Sequence, residues 1–254
     1  MASKVALQLY TVRDLLKTPE QAEETLRKVR QIGYNAVEHS GVASLAPQRL
    51  RDLLHELGLE TVSVHVSYDE LTPGTGKAEE RCAMYGCKEV SLSSMPHERF
   101  RSYPELRKEA ARLTEIGKKL ASKGLRFSYH SHWFEYERLS EGVGLEILYR
   151  ETDPKFVKSQ LDICWAQYAG ADPARWIRNL KGRVPTVHAK DLGVKDGKQM
   201  TLEVGEGNIN WPNVLDACKE AGVEWYIVEQ DSCWRSPLDS VAVSLANLNK
   251  MGIQ

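Results

Sequence analysis

The sequence predicts an α/β protein that folds as one (β/α)8 barrel domain, and three observations support this. Short apolar strand-like runs alternate with amphipathic helical patterns along residues 1–254. The ends of successive predicted strands lie roughly 30 residues apart, the length of one βα unit. The segment Tyr10–Asp14 contains no glycine, whereas the rival doubly wound sheet needs a glycine-rich turn after its first strand.

The first unit shows the repeating pattern. A strand is predicted at Val5–Tyr10, Thr18 caps the next helix, Pro19 opens it and Gly33 ends it. The other strands are predicted at 36–39, 61–65, 89–92, 125–130, 156–162, 184–189 and 224–229. Helices are predicted near 46–57, 76–85, 104–123, 173–181 and 211–221, and a last helix has Ser236 as its cap, Pro237 at its first position and Gly252 after it. The pattern indicates eight strands and eight helices, seven of which are the helices named above, with loops near 131–144 and 193–210 as candidate lids.

Composition excludes several classes of protein. The 34 basic and 35 acidic residues nearly balance, which argues against a nucleic-acid binder and favours a small neutral or polar ligand. Five scattered cysteines without a C-x-x-C pair indicate neither a disulfide framework nor a zinc knuckle and favour a reducing cytoplasm. Without a signal peptide or an apolar run of about 18 residues, we expect neither export nor membrane insertion. The oligomeric state stays open, a homo-oligomer included.

Metal-capable side chains stand at the ends of four consecutive predicted strands. They are His130, Asp162, His188 and Glu229. Because the carboxyl ends of parallel strands meet at one edge of a sheet, we expect these groups to converge. Nitrogen and oxygen ligands of this kind suit a divalent metal ion. Taken singly, each residue also fits a purely structural role without a metal, such as a helix cap for Asp162 or a hydrogen-bonded core histidine for His188.

Further polar residues near these strand ends are candidates for catalysis or substrate binding. Lys190 shares a strand face with His188 and is a candidate acid or electrophile. His132 shares a face with His130 and is a candidate acid or base, whereas Glu135 is expected on the surface.

The second and third strand ends add candidates for substrate contact. They are Glu38, His39 and His65. Glu38 and His39 are adjacent in a strand and cannot both face inward, and we favour Glu38 with His65.

Aromatic residues cluster in the second half of the chain. Trp133, Trp165 and Trp234 are the best candidates for stacking on a sugar ring, whereas we assign most of the other rings to packing between barrel and helices. Gly205–Asn208 lies where barrels often bind phosphate, but the charge of Glu206 disfavours an anion there.

Five motifs carry a resemblance to a known family. They are Tyr129–Glu135, Leu161–Trp165, Val187–Asp191, Val204–Trp211 and Ile227–Asp231. The chain resembles the sugar phosphate isomerase/epimerase group of the xylose isomerase-like TIM barrel superfamily, over nearly its whole length and most specifically at 125–231. The resemblance implies a TIM barrel with one divalent ion, often manganese, magnesium or zinc, held by side chains of strands five to eight.

The ligand positions of that family carry over residue by residue, with one departure. Asp162, His188 and Glu229 match, but many relatives have a glutamate where this chain has His130. In relatives that interconvert ketose epimers, the carboxylates of strands five and eight move the proton. We therefore expect His130 to be either a metal ligand or the base, and a mechanism with two equivalent carboxylates does not apply directly.

These features lead to one main hypothesis with alternatives. We expect a metal-dependent sugar isomerase or epimerase of carbohydrate metabolism, in which Glu229 or His130 moves a proton beside a carbonyl through an enediolate. The alternative is a lyase that expels a β-substituent, with His132 or Lys190 protonating the leaving oxygen. Two further readings, an abasic-site endonuclease and a non-catalytic sugar-binding barrel, fit the charge balance and the strand-end residues less well.

Overall fold

Eight short parallel strands close into a barrel. The structure is a computed structural model that describes residues 4–71 and 74–253. The barrel strands are Val5–Gln8, Ala36–His39, Glu60–Val66, Glu89–Leu92, Arg126–His130, Lys158–Asp162, Thr186–Ala189 and Trp225–Val228. Each strand pairs with its neighbours in chain order, and the pairing of Ala6 with Ile227 closes the ring. The (β/α)8 barrel predicted from the sequence is therefore confirmed.

Helices connect the strands on the outside of the barrel. They are Pro19–Ile32, Pro47–Leu57, Tyr68–Leu71, Gly76–Tyr85, Tyr103–Ala121, Gly144–Glu151, Ile163–Tyr168, Pro173–Asn179, Trp211–Ala221 and Pro237–Lys250. The first helix begins as predicted, because Thr18 Oγ1 accepts a hydrogen bond of 3.3 Å from the backbone N–H of Gln21 and Pro19 follows it. Among the described residues, no helix is both long enough and apolar enough to cross a membrane.

Some predicted boundaries need correction. The first strand ends at Gln8, whose side chain accepts the N–H of Tyr10 and begins a 3-10 helix over Leu9–Leu15. The sixth strand begins at Lys158, because the preceding Phe156 is still bonded into a turn through the carbonyl of Asp153. Three helices lie outside the predicted segments, and each is too short for a clear apolar period: Tyr68–Leu71, Gly144–Glu151 and Ile163–Tyr168.

Both predicted lid loops contain β-hairpins. The first loop includes the pair Arg138–Leu139 and Gly142–Val143. The second loop contains the hairpin of Asp191–Lys195 with Lys198–Leu202, so regular strands occupy part of the predicted loop near 193–210. The turn between these two strands consists of Asp196 and Gly197.

The Asp191 carboxylate fastens the rest of that loop. It accepts hydrogen bonds from the backbone N–H groups of Gly205 at 2.9 Å and Ile209 at 3.1 Å, and from the indole N–H of Trp211 at 2.6 Å. A Cβ at Gly207 would overlap the same carboxylate, so this position needs glycine. Within the segment Gly205–Asn208, the backbone N–H groups of Gly205, Glu206 and Asn208 all donate to protein acceptors and are therefore not available to a phosphate.

Side chains of the strands alternate between the helix side and the barrel interior. In the first strand, Leu7 belongs to the main apolar core with the helices, whereas Ala6 packs inside the barrel with Ala36 and Ile227. Two residues nearer the carboxyl ends, the interior changes from apolar to polar. Gln8 is fully buried there, and this polar layer lies directly beneath the predicted site.

Candidate active site

The four strand-end residues predicted to bind metal lie together at the barrel mouth. His130, Asp162, His188 and Glu229 each offer one ligand atom, and these atoms lie within 4.8 Å of one another. His188 Nδ1 is 3.0 Å from Glu229 Oε2 and 3.9 Å from Asp162 Oδ2. All four residues are buried. The strand geometry therefore produces the convergence that the spacing predicts.

A buried carboxylate orients His188 from below. Glu38 Oε1 lies 2.6 Å from His188 Nε2, on the opposite side of the ring from Glu229. Burial opposes a charge on the imidazole, but Glu229 and Glu38 raise the pKa of His188 to about 10. A carboxylate that accepts from one ring nitrogen and leaves the other facing the ligand cluster is the usual partner of a metal-binding histidine.

The donor atoms fit a cation because two of them lack other partners. Among the described residues, the buried Nδ1 of His130 has no hydrogen-bond partner. Asp162 Oδ2 likewise makes no hydrogen bond of good geometry, although Lys190 Nζ lies 3.0 Å away, while Asp162 Oδ1 accepts the N–H of Trp165. Burial and the neighbouring His188 hold the pKa of His130 well below its usual range, which keeps a nitrogen lone pair available.

Lys190 contacts these groups and is 1% exposed. Its ammonium is 2.6 Å from Glu229 Oε2 and 2.7 Å from Asp231 Oδ2. Burial opposes the charge, but Asp162, Glu229 and Asp231 raise the pKa of Lys190 well above its usual range. The residue predicted to share a face with His188 is thus a permanent cation in contact with the candidate ligands.

His132 lies at the wall of the mouth, next to His130, with ring centroids 4.8 Å apart. The prediction that Glu135 lies on the surface is wrong, because its side chain is fully buried. Glu135 accepts the backbone N–H of His132 at 2.8 Å and the hydroxyl of Tyr129 at 2.7 Å, and its Oε1 lies 3.6 Å from His132 Nδ1. The short 3-10 turn Phe134–Tyr136 folds Glu135 back under the histidine, which no spacing rule indicates.

A cavity of about 520 Å³ opens above the cluster. On the side of the cluster its wall contains His65, His130, His132 and Glu229, whereas Asp162 and His188 lie deeper. The rings of His65 and His188 stack with centroids 5.4 Å apart, so His65 adds a third imidazole beside the four candidate ligands. A cavity of this size suits a small ligand.

Other residues predicted to contact substrate are placed differently. Glu38 is fully buried below the cavity, and His39 faces outward, as expected from its alternation with Glu38, and stacks on Tyr85 at 4.4 Å. The predicted aromatic residues Trp133, Trp165 and Trp234 do not line this cavity. Trp133 packs on Trp165 with ring centroids 4.7 Å apart at the rim, and the substrate-stacking roles stay predictions.

Gln160 belongs to the buried polar layer beneath the site, and the sequence analysis did not single it out. Its Oε1 accepts from Ser91 at 2.8 Å and lies 2.7 Å from His65 Nε2, and its Nε2 donates to Glu38 at 2.7 Å. The available signal was its place two residues before Asp162, which puts both side chains on one face of the strand.

The residues on the wall away from the cluster were also missed. This wall is formed by residues that follow the second, third and fourth strands and by one arginine, Arg81.

Three comparisons place this chain among known proteins. The family model for the xylose isomerase-like TIM barrel matches residues 26–250. An inosose dehydratase from Geobacillus thermodenitrificans is 28% identical over 145 residues, which cover 50% of this chain and 48% of that protein. The chain thus matches about half of the length of that relative.

Two solved structures show the same fold. A sugar phosphate isomerase/epimerase from Parabacteroides distasonis has a TM-score of 0.83 at 23% identity and covers 98% of this chain and 94% of its own. The IOLI protein, solved with a bound zinc atom, has a TM-score of 0.76 at 14% identity and covers 96% of each chain.

Proposed function

Because the chain belongs to the xylose isomerase-like TIM barrel family, we propose that it is a divalent-metal-dependent enzyme acting on a small sugar or cyclic keto-polyol. It removes a proton from the carbon beside a carbonyl group. The observation that carries this proposal is the convergence of His130, Asp162, His188 and Glu229 within 4.8 Å beneath an open cavity. The IOLI protein, which has the same fold, was solved with a bound zinc atom, and this supports the proposal that the chain binds a metal.

His130, Asp162, His188 and Glu229 hold the metal in this proposal, and Glu38 supports His188 from behind. A bound divalent ion supplies a Lewis acid that polarises the substrate carbonyl and makes the neighbouring C–H more acidic. The metal is manganese, magnesium or zinc.

Glu229 is the group that accepts the proton. It lines the cavity, and its carboxylate contacts the ammonium of Lys190 and the imidazole of His188. Burial opposes ionisation, but Lys190 and His188 hold the pKa of Glu229 well below its usual range. The carboxylate is therefore ionised at neutral pH and free of a proton before substrate binds.

We assign elimination of a β-oxygen substituent as the outcome. Glu229 takes the proton from the carbon beside the carbonyl, the C–O bond on the next carbon breaks, and a double bond forms between the two carbons. His132, which lies on the cavity wall and is held by Glu135, donates the proton to the leaving oxygen. Two unlike groups, a carboxylate and an imidazole, suit this division into base and acid, and the inosose dehydratase relative supports it.

Isomerisation or epimerisation is the second candidate. His130 and Glu229 both line the cavity, from the fifth and eighth strands. A base on one side and an imidazole on the other can remove and return a proton on different faces of the same carbon. The structural likeness to a sugar phosphate isomerase/epimerase is compatible with this outcome.

One experiment separates these outcomes. The metal-loaded protein is incubated in D2O with inosose, keto-hexoses and 3-keto-glycosides, and products are read by mass spectrometry and NMR. Loss of water or of an aglycone supports elimination, whereas deuterium incorporation without loss supports isomerisation or epimerisation. If no substrate exchanges deuterium or loses a group, the proposal is rejected.

A matched pair of histidine variants tests the acid. We expect His132→Ala to lower the elimination rate about 100-fold. His97→Ala removes an exposed histidine that pairs with Glu137 outside the cavity, and it should leave the rate unchanged.

A further inference from the structure

The cavity has a second polar wall, which lies away from the candidate metal ligands. The wall beside the cluster contains His65 of strand three and residues at the ends of strands five and eight, whereas this wall comes from residues after strands two, three and four and from the helix Gly76–Tyr85. Its charged members are Arg81 and Glu70, and serines 40, 67, 93 and 94 surround them. A substrate bound at Glu229 by its reacting end is therefore faced at its far end by this wall.

Arg81 is held in place on this wall by two partners. Its Nη1 donates to Glu70 Oε1 at 3.2 Å, and its Nη2 donates to His39 Nδ1 at 3.3 Å. Burial and the charge of Arg81 lower the pKa of His39 to about 4, so His39 is a neutral acceptor at neutral pH. The backbone N–H of Gly41 points to the same nitrogen at 3.1 Å. The guanidinium is thus fixed by the fold and does not depend on a ligand for its position.

Glu70 is held equally well. Its Oε2 accepts the backbone N–H of Ser67 at 2.7 Å, and its own N–H donates to Ser67 Oγ at 3.2 Å. The side chains of Arg81 and Glu70 remain 21% and 31% exposed, which leaves both accessible from the cavity. Ser40 adds a hydroxyl that has no hydrogen-bond partner among the described residues.

The charge state of this wall decides what it can bind. A guanidinium without a carboxylate partner favours phosphate or carboxylate groups. Here the charge of Arg81 is compensated by Glu70. The pair still offers N–H donors and carboxylate lone pairs side by side, which match the hydroxyl groups of a sugar or polyol.

We propose that Arg81 and Glu70 form a hydroxyl-binding clamp that selects the uncharged polyol end of the substrate and disfavours its phosphate ester. The clamp determines specificity and takes no part in the proton transfer. This inference takes from the proposed function that the reacting end of the substrate lies at Glu229. The selection between polyol and phosphate ester can nevertheless be measured by binding alone.

Binding measurements test the clamp without turnover. Isothermal titration calorimetry on the metal-loaded protein compares myo-inositol with myo-inositol monophosphate. We expect the wild type to bind myo-inositol at least about tenfold more tightly than myo-inositol monophosphate. Glu70→Gln should weaken the binding of myo-inositol, and it should reduce or reverse the ratio of the two affinities because Arg81 is then free to bind the phosphate. Arg81→Met should weaken the binding of both ligands.

Arg178→Met serves as the control, because Arg178 pairs with Glu220 on outer helices and does not line the cavity. Tighter binding of the phosphate ester by the wild type overturns the clamp, as do affinities unchanged in Glu70→Gln and Arg81→Met, or no binding of either ligand. Failure of the clamp is distinguishable from failure of the proposed reaction. If polyol binding depends on Glu70 but no turnover is seen, the clamp is supported and the proposed reaction is not. If elimination proceeds and neither variant affects it, the reaction is supported and the clamp is not.

Discussion

Lys190 Nζ and Glu229 Oε2 lie 2.6 Å apart at the barrel mouth, where the lysine side chain is fully buried. The ammonium also lies 3.0 Å from Asp162 Oδ2. A single cation therefore compensates two of the carboxylates that we assign to the metal, in addition to Asp231. This arrangement explains how a chain can fold with several carboxylates and imidazoles in contact.

Removing that cation should strongly destabilise the metal-free protein. We expect Lys190→Met to lower the free energy of unfolding by about 3 to 5 kcal/mol, because it leaves buried carboxylates unpaired. Urea denaturation of the chelated protein measures this. Lys118→Met, which removes an exposed lysine paired with Glu115, is the control and should unfold at the wild-type denaturant concentration.

Metal content should depend on the predicted ligands. We expect Asp162→Ala and His188→Ala each to abolish stoichiometric metal by elemental analysis while circular dichroism still shows the folded barrel. Asp52→Ala changes an exposed carboxylate that pairs with Arg51 and should keep full occupancy. Full metal in both site variants would refute the ligand assignment.

The buried Glu135 should matter for both folding and activity. Glu135→Ala leaves the Tyr129 hydroxyl and the His132 N–H without their acceptor, so we expect a loss of about 1 to 3 kcal/mol in unfolding free energy. We also expect a lower kcat, because His132 loses its support. The exposed Glu137 on the same loop gives the control Glu137→Ala, and equal stability of the two variants would count against this role.

Stability should fall in mild acid because of His39. Its pKa is about 4 in the folded chain, lowered by burial and by Arg81, against roughly 6.5 when unfolded. The unfolded chain therefore binds more protons between these values, so the stability present above about pH 6.5 decreases as the pH falls towards 4.

The size of this effect is about 3 kcal/mol at most. Urea denaturation near pH 7 and near pH 5 compares the wild type with His39→Gln, which keeps an acceptor but does not titrate. The wild type should lose more stability than the variant over this interval, and equal losses would contradict the assignment.

Gly117 should not tolerate a side chain despite its place in the helix Tyr103–Ala121. A Cβ there would overlap the carbonyl oxygen of Phe156, so Gly117→Ala should lower the thermal unfolding temperature. Gly76 also lies in a helix but has nothing within 4 Å of an added Cβ. Gly76→Ala should therefore unfold at the wild-type temperature or above it, and the two variants together separate crowding from helix propensity.

The sequence was sufficient for the architecture and for the convergence of the strand ends. Both depend on rules with a fixed period: strand and helix units of roughly 30 residues, and side chains that alternate along a strand. This is why the sequence alone predicts that Lys190 shares a strand face with His188. The same alternation separates Glu38, inside the barrel, from His39, on its outside.

The positions that could not be predicted depend on contacts between distant segments. Glu135 is buried because a short 3-10 turn folds it towards Tyr129, and no local pattern indicates such a turn. Arg81 reaches the cavity from a helix because Glu70 and His39 hold it there. Three-dimensional proximity of this kind has no period along the chain.

The polar layer under the mouth has a consequence for engineering. Gln8, Ser63 and Gln160 all donate to the Glu38 carboxylate, which in turn contacts His188. The candidate catalytic residues of this barrel therefore cannot be moved one at a time into another protein with their positions preserved. A design that transfers the site also has to transfer the supporting polar residues of the first, second, third and sixth strands.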